Sequence, residues 1–234
     1  MKIVKEFSRF ADEYNRYNII QTEVAKHLIS MLKKKRYDKV LDLGSGSGAV
    51  YKNLKNRGVK FNHFYAFDFS EEMLKVHPSS KKLSKLCLDF NDKSSFQDYQ
   101  ENEFDLLTSA SALQWSDNLS TVLGSISSLA TESVFAFFTS NTFITLHKTA
   151  GVKSPIYSKE FILDTLKDYY IFESEVKEYH LPFPSVEKML SYIKHSGVSG
   201  GTGVLSYREI KRLIREYPLG YLEFEVLFVK AVKL

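Results

Sequence analysis

The sequence predicts an α/β fold in which helices cover both faces of a doubly wound, mostly parallel sheet. The first observation is that strand-like apolar runs alternate with stretches suited to helices, which is typical of such a sheet. These runs are 39–43, 62–68, 84–89, 104–109 and 133–139. The second observation is a set of polar residues near the strand ends, namely Asp42, Asp68, Asp89 and Ser109. Because parallel strands end at one edge, we expect these four residues on one rim of a crevice.

The C-terminal part predicts a different arrangement. Apolar and polar residues alternate from Leu222 to Val232, which predicts a long strand. A similar run at 171–181 predicts its antiparallel partner at the sheet edge, with helices at 185–194 and 206–216 between them. The glycine-rich segment 195–203 joins these helices and is either a plain linker or part of a substrate lid. We therefore expect one domain over 1–234, with an N-terminal helical cover at 1–36 and a helical lid insertion at 183–217.

A glycine-rich turn follows the first strand, in Val40-Leu-Asp-Leu-Gly-Ser-Gly-Ser-Gly48. Alternating glycines let a chain turn sharply and present bare backbone to a ligand before a helix starts. Asp68 follows at about the spacing at which an acid receives ribose hydroxyls. Asp42 precedes the turn, where its charge would oppose a pyrophosphate and favour a cation. S-adenosylmethionine fits, since it has no phosphate and carries an ammonium and a sulfonium; the alternative is a tight turn without a ligand.

Composition narrows the possible functions. The net charge of +4 is too small to predict nucleic-acid binding, and the basic run at 33–36 suits a solvated helix end. The six histidines show no metal-ligand spacing, and no long apolar segment predicts a membrane span. Cys87, the only cysteine, has apolar neighbours and is expected to be an inert core thiol. Together with the absence of a signal peptide, this predicts a cytoplasmic protein.

These motifs resemble those of class I S-adenosylmethionine-dependent methyltransferases. Residues 40–48 are similar to the first motif of that family, and Phe67-Asp-Phe-Ser-Glu-Glu-Met-Leu74 to the second. The resemblance implies that the first motif borders the methionine part of the cofactor and that the acid after the second strand binds ribose. It also implies that a third-strand acid meets the adenine amine and that residues after the fourth strand wall the site. The implied cofactor-binding residues are Asp42, Gly44, Ser45, Gly46, Gly48, Asp68, Phe69, Met73, Asp89, Phe90, Ser109 and Ala110.

A closer resemblance covers most of the chain and is to the malonyl-acyl carrier protein O-methyltransferases of biotin synthesis. It is carried by Phe7-Ser-Arg-Phe-Ala-Asp-Glu-Tyr14, Ser111-Ala-Leu-Gln-Trp-Ser-Asp-Asn-Leu119, His195-Ser-Gly-Val-Ser-Gly-Gly-Thr-Gly203 and Tyr217-Pro-Leu-Gly-Tyr221. It implies methylation of the free carboxylate of malonyl-acyl carrier protein, with that carrier as partner and without nucleic acid or membrane. The second segment is shared with enzymes acting on small acids such as trans-aconitate. The chain departs from the family at Ser45, where cysteine is common, and in a short segment after Thr139.

Two aromatic residues are the candidates for the catalytic surface. Tyr14 is expected to close the cofactor pocket and to hydrogen-bond a carboxylate, or else to pack half in the core. Trp115 is expected to wall the substrate side, or else to anchor the following helix. A malonyl carboxylate is already ionised near pH 7, so it needs no general base, and no motif places one after the fourth strand.

The sequence leaves other functions open. One is a carboxyl methyltransferase for a free small acid, and another is an assembly factor that keeps the fold without catalysis. Arg208, Lys211 and Arg215 are spaced to make one helix face basic. That face would suit an acidic carrier protein, or it is simply solvated. An RNA methyltransferase is less expected, because the chain lacks a strong basic stripe.

Overall fold

A computed structural model describes residues 18–195 and 205–234 of the chain. Its strands are β1 (Arg36–Leu43), β2 (Lys60–Asp68), β3 (Leu83–Cys87), β4 (Phe104–Ala110), β5 (Ala130–Phe138), β6 (Tyr170–Pro182) and β7 (Tyr221–Lys233). Its α-helices are α1 (Ile19–Ser30), α2 (Ala49–Asn56), α3 (Glu71–Val76), α4 (Leu119–Ile126), α5 (Ile144–Ala150), α6 (Lys159–Lys167), α7 (Val186–His195) and α8 (Tyr207–Glu216). Short 3-10 helices lie at Lys93–Phe96 and Leu113–Trp115.

The strands form one sheet in the order β3-β2-β1-β4-β5-β7-β6. The first five strands pair in parallel, and β7 runs antiparallel to both β5 and β6. This arrangement confirms the predicted doubly wound, mostly parallel sheet. The reversed strand is β7, which lies one strand in from the edge. Its continuous apolar run 226–229 explains this interior position, because such a run suits a strand covered on both faces. The charged, largely exposed β6 takes the edge, where charges discourage pairing with another chain.

Side chains alternate between the two faces of the sheet and build one apolar core on each. Val40 of β1 packs into a cluster with Leu28 of α1 and Leu54 of α2. Its neighbour Leu41 packs on the other face, in a cluster with Leu123 of α4. All five of these leucine and valine side chains are fully buried. Each helix layer therefore fixes the position of the loops at the carboxyl ends of the strands.

The two helices between β6 and β7 are packed onto the protein. Met189 and Tyr192 of α7 and Leu213 of α8 are buried in the same core cluster as α1 and α2. Ser206 and Glu209 form a capping box that fixes the start of α8. The helices of the predicted lid insertion are thus anchored by apolar contacts. Residues 196–203 of its predicted loop, and residues 1–17 of the predicted N-terminal cover, lie outside the described residues.

Two predictions about β3 are wrong. The strand ends at Cys87 rather than Asp89, because the Asp89 carboxylate accepts hydrogen bonds from Asn91 N (2.9 Å) and Nδ2 (3.0 Å) in a turn. Cys87 is exposed rather than in the core, since β3 is the edge strand and has an incompletely covered surface. Its Sγ lies 3.5 Å from Phe69 O, and partial desolvation of the thiol together with the nearby negative charge of Glu71 raises its pKa, so an unreactive cysteine is still expected.

Within the described ranges, no helix combines the length and apolar character required to cross a bilayer. The same ranges contain no group of three or more His, Cys, Asp or Glu residues placed to hold a metal ion.

Candidate active site

The turn after β1 depends on backbone conformations that only glycine adopts without strain. Gly44, Gly46 and Gly48 have φ angles of 66°, 51° and 84°. Gly44 also makes the closest approach, because a Cβ built there would lie 2.2 Å from Ala112 Cβ. A Cβ on Gly48 would lie 2.6 Å from Pro78 Cδ. Gly44 therefore lets the turn meet the segment after β4, whereas Gly48 serves packing behind the turn.

The turn is tied to the carboxyl end of β2. Ser45 N donates to Phe67 O at 2.9 Å, and Gly46 N donates to Asp68 Oδ2 at 2.8 Å. The other oxygen of this carboxylate, Asp68 Oδ1, accepts from Ser70 N at 2.9 Å. Each carboxylate oxygen has two acceptor sites, so each keeps one for a ligand. Asp68 is thus both a fixed part of the turn and an available acceptor.

Burial sets the protonation of the two acids beneath the turn. It raises the pKa of Asp68 to about 6, against the lowering effect of the bonds from Ser70 and Gly46, so Asp68 is ionised at pH 7. Burial raises the pKa of Asp42 to about 8, although the Thr108 hydroxyl donates to Asp42 Oδ1 at 2.7 Å. Asp42 Oδ2 is buried without a partner among the described residues. Asp42 is therefore largely neutral at pH 7 in the free protein, and a bound cation above it would favour ionisation.

A crevice lies at this edge of the sheet, at the carboxyl ends of β1, β2 and β4. It brings together most of the residues that the sequence predicts. The predicted residues lining it are Gly44, Gly46, Asp68, Phe69, Met73, Phe90, Ala110 and Trp115. Two lining residues were missed, Ser111 and Ala112, although they begin the motif that includes Trp115. Their position directly after Ala110 was the available signal.

Other predicted site residues lie near the crevice without lining it. Asp42, Ser45 and Gly48 are buried beneath or behind the turn. Ser109 is 1% exposed, and its hydroxyl donates to Leu43 O at 2.9 Å, which ties β4 to β1. Asp89 is exposed in the turn after β3, so the expected rim of four strand-end residues contributes only Asp68 to the lining. Tyr14 lies outside the described residues.

The chemistry of the lining fits S-adenosylmethionine. Asp68 offers two free acceptor sites for the ribose hydroxyls. Phe69, Met73 and Phe90 offer apolar surface for an adenine ring. Bare backbone at Gly44 and Gly46 leaves room for the amino-acid end, and no described lining residue is a cation that would suit a phosphate.

Comparison with known proteins identifies a family model that matches the central part of the chain. Residues 41–137 match the family model described as a methyltransferase domain. This region is a methyltransferase domain. It spans β1 to β5 and contains the glycine turn, Asp68 and the wall formed after β4.

Curated relatives and solved structures extend the comparison over most of the chain. The chain is 26% identical to the malonyl-[acyl-carrier protein] O-methyltransferase of Bacillus cereus, covering 83% of this chain and 79% of that protein. It is 23% identical to the protein of the same name in Brevibacillus brevis, covering 98% and 95%. Among solved structures, a SAM-dependent methyltransferase of Thermotoga maritima, described as a possible histamine N-methyltransferase, is similar with a TM-score of 0.59 at 13% identity, covering 99% and 100%. The methyltransferase domain confirms the predicted cofactor, S-adenosylmethionine, and the structural likeness confirms the fold.

Proposed function

We propose that this methyltransferase esterifies the free carboxylate of malonyl-acyl carrier protein, which masks the malonyl group during synthesis of the pimeloyl precursor of biotin. The names of the two relatives support this substrate. The observation that carries the proposal is chemical: Asp68 is the only titratable acid or base among the described residues that line the crevice. A phenol or amine acceptor would need a general base, whereas a carboxylate needs none.

In this proposal the lining residues would hold S-adenosylmethionine at the carboxyl edge of the sheet. Asp68 accepts the ribose hydroxyls, and Phe69, Met73 and Phe90 enclose the adenine. Gly44 and Gly46 border the methionine end, with Asp42 beneath them as a buried group that ionises when a cation binds. Asp89 is exposed in the turn after β3, and its contact with the adenine amine, which the family resemblance implies, stays a prediction.

The acceptor is proposed to lie against the wall formed after β4. When bound, S-adenosylmethionine would supply the methyl group of its sulfonium. A carboxylate oxygen would accept this group by in-line displacement of S-adenosylhomocysteine, without losing a proton. Trp115 and Ala110 give this wall an apolar surface, so they keep the reacting carboxylate away from bulk water. The chain therefore contributes alignment and exclusion of water rather than proton transfer. The expected contribution of Tyr14 to closing the site stays a prediction.

The direct test is methyl transfer from labelled cofactor to three acceptors, namely malonyl-acyl carrier protein, free malonate and trans-aconitate. We expect a base-labile methyl ester on the carrier-linked malonyl group and little product from the free acids. Faster methylation of a free acid would assign the alternative small-acid function. Cofactor binding without turnover on any acid would instead support an assembly factor. The cytoplasmic location expected from the sequence stays a prediction.

A basic helix face lies on the same edge of the sheet and suits the proposed carrier protein. Arg208 and Lys211 of α8 are exposed, and Lys211 Nζ lies 4.5 Å from the centre of the Tyr207 ring. Arg212 Nη1 donates to Ala150 O at 3.4 Å, which fixes α8 against the end of α5. Because α5 follows β5 and α8 precedes β7, both helices lie on the crevice edge. We propose that this face guides the acidic carrier toward the crevice.

Reversing the charge of this face should slow carrier recognition selectively. For Arg208→Glu with Lys211→Glu, we expect kcat/KM for malonyl-acyl carrier protein to fall roughly tenfold or more at low salt, since like charges remove electrostatic steering. Malonyl-pantetheine, which has no protein part, should react at an unchanged rate. A matched control is Lys60→Glu with Lys82→Glu, two exposed cations at the opposite edge of the sheet. Equal losses in the two double variants would rule out docking on α8.

A further inference from the structure

Ser111 combines two unfavourable features in the wall of the crevice. Its φ of 62° is a left-handed conformation that side chains other than Asn and Asp seldom adopt. Its hydroxyl oxygen is buried and has no hydrogen-bond partner among the described residues. An unpaired buried hydroxyl and a strained backbone both cost free energy, and such strain tends to persist at functional sites. Glycine would remove both costs, so the presence of serine points to a use for its hydroxyl.

The surrounding residues hold Ser111 in this conformation. Ser111 N donates to Ala136 O of β5 at 2.9 Å, and Gln114 Nε2 donates to Ser111 O at 2.8 Å. Gln114 is itself 2% exposed, so its side chain cannot swing away. Trp115 N donates to Ala112 O at 3.0 Å and closes the short helix that follows. The strained conformation is therefore imposed by the fold.

The composition of the lining indicates which ligand group takes this hydroxyl. None of the described lining residues is Lys, Arg or His. The side chains in that lining that can donate a hydrogen bond are those of Ser111 and Trp115. The proposed function brings two carboxylates to this crevice, one on the methionine end of the cofactor and one on the malonyl group. A buried carboxylate without a cation needs hydrogen-bond donors of this kind.

We propose that Ser111 is a carboxylate-binding residue whose hydroxyl, fixed by the left-handed backbone, donates a hydrogen bond to a ligand in the crevice. The cofactor and the malonyl group share this chemistry, and the identity of the second carboxylate rests on the proposed function. In the free protein the hydroxyl has no partner among the described residues, which is destabilising. In the complex it has a charged acceptor, so the same residue stabilises the bound state.

The test compares Ser111→Gly with the parent protein by thermal unfolding and by calorimetric binding. We expect the glycine variant to unfold at a higher temperature, because it lacks the strain and the unpaired hydroxyl. We also expect it to bind S-adenosylhomocysteine, or malonyl-pantetheine in the presence of S-adenosylhomocysteine, roughly 10- to 100-fold more weakly, as for one lost bond to a charged group. 5′-Methylthioadenosine has no carboxylate and should bind both proteins equally.

Two further variants separate the effect of the hydroxyl from the effect of backbone strain. Ser111→Ala removes the hydroxyl but keeps the strained backbone, so it should show the same loss of affinity without the stability gained by relieving the strain. Asn102→Gly relieves the backbone strain of a positive φ of 55° in an exposed turn away from the crevice, and it should change none of the affinities. Loss for S-adenosylhomocysteine assigns the bond to the cofactor, and loss for malonyl-pantetheine alone assigns it to the acceptor. Unchanged affinity for both ligands in Ser111→Gly and Ser111→Ala overturns the proposal, and this result does not depend on turnover of malonyl-acyl carrier protein.

Discussion

Asp68→Asn is expected to weaken binding of S-adenosylhomocysteine roughly 30- to 150-fold at pH 7.5, corresponding to about 2–3 kcal/mol. The reason is that the carboxylate offers one free acceptor site on each oxygen after binding Gly46 N and Ser70 N. Asparagine has a single acceptor oxygen, so one ribose hydroxyl loses its partner. Isothermal titration calorimetry measures the change directly.

The same residue should make cofactor binding depend on pH. Because burial raises the pKa of Asp68 to about 6 and the ionised form accepts the ribose hydroxyls, affinity should fall as the pH drops through 6. Well below that pH the loss approaches about tenfold per unit for a single titrating group. Asp68→Asn should lose this dependence between pH 5 and 7, as far as it arises from Asp68. An identical pH profile in the variant and the parent would show that another group governs binding.

Folding of the variant is checked by thermal unfolding. An Asp whose pKa is raised in the folded state stabilises the protein at low pH. This contribution is lost as the pH rises from the pKa of the Asp in the unfolded chain to its pKa in the folded protein, about 6. At pH 7.5 the buried charge is therefore a cost that asparagine removes. This gain offsets the loss of one backbone hydrogen bond, so we expect only a small change in Tm. A weakened affinity with an intact transition then reports on the ribose contacts.

Gly44→Ala is expected to reduce cofactor affinity and kcat/KM by about 100-fold or more, since displacements of about 1 Å at an active site can have this effect. The added Cβ would lie 2.2 Å from Ala112 Cβ, far inside the normal carbon contact distance of about 3.5–4.0 Å. The turn after β1 and the segment after β4 must then separate. Both line the crevice, so its shape changes where the methionine end is proposed to bind.

Two companion variants separate the steric clash from the backbone effect. Gly58→Ala places alanine at a similar φ of 71° with no atom within 4 Å of the new Cβ, so it should cost about 1 kcal/mol of stability and leave binding unchanged. Ala112→Gly combined with Gly44→Ala removes the methyl group that Gly44→Ala would strike. We expect this double variant to recover most of the affinity. Failure to recover would mean that the left-handed backbone of the turn, and not the contact with Ala112, makes glycine necessary.

Local patterns were enough to predict most of the fold. The alternation of apolar runs and helical periods predicts all seven strands in the described ranges. The reason is that burial in a sheet requires apolar residues within the sequence of each strand itself. The end of the edge strand β3 and the exposure of its residues were less predictable. At β3 the local sequence continues as apolar alternation, but the Asn91 side chain and backbone capture Asp89 and end the strand early. The same edge position exposes Cys87.

Some features of the candidate site are likewise predictable from local sequence, and others depend on the tertiary structure. The sequence by itself determines the glycine turn and Asp68, since left-handed turns and strand-end acids are encoded by neighbouring residues. Only the tertiary structure decides that Asp42 is buried with a raised pKa and that Ser109 ties two strands together. It also decides that the Ser111 hydroxyl is buried without a partner among the described residues. The physical reason is that burial, close approach and hydrogen bonding join residues far apart in the chain. The contact of Gly44 with Ala112 is the clearest case, because neither residue alone reveals why the other must be small.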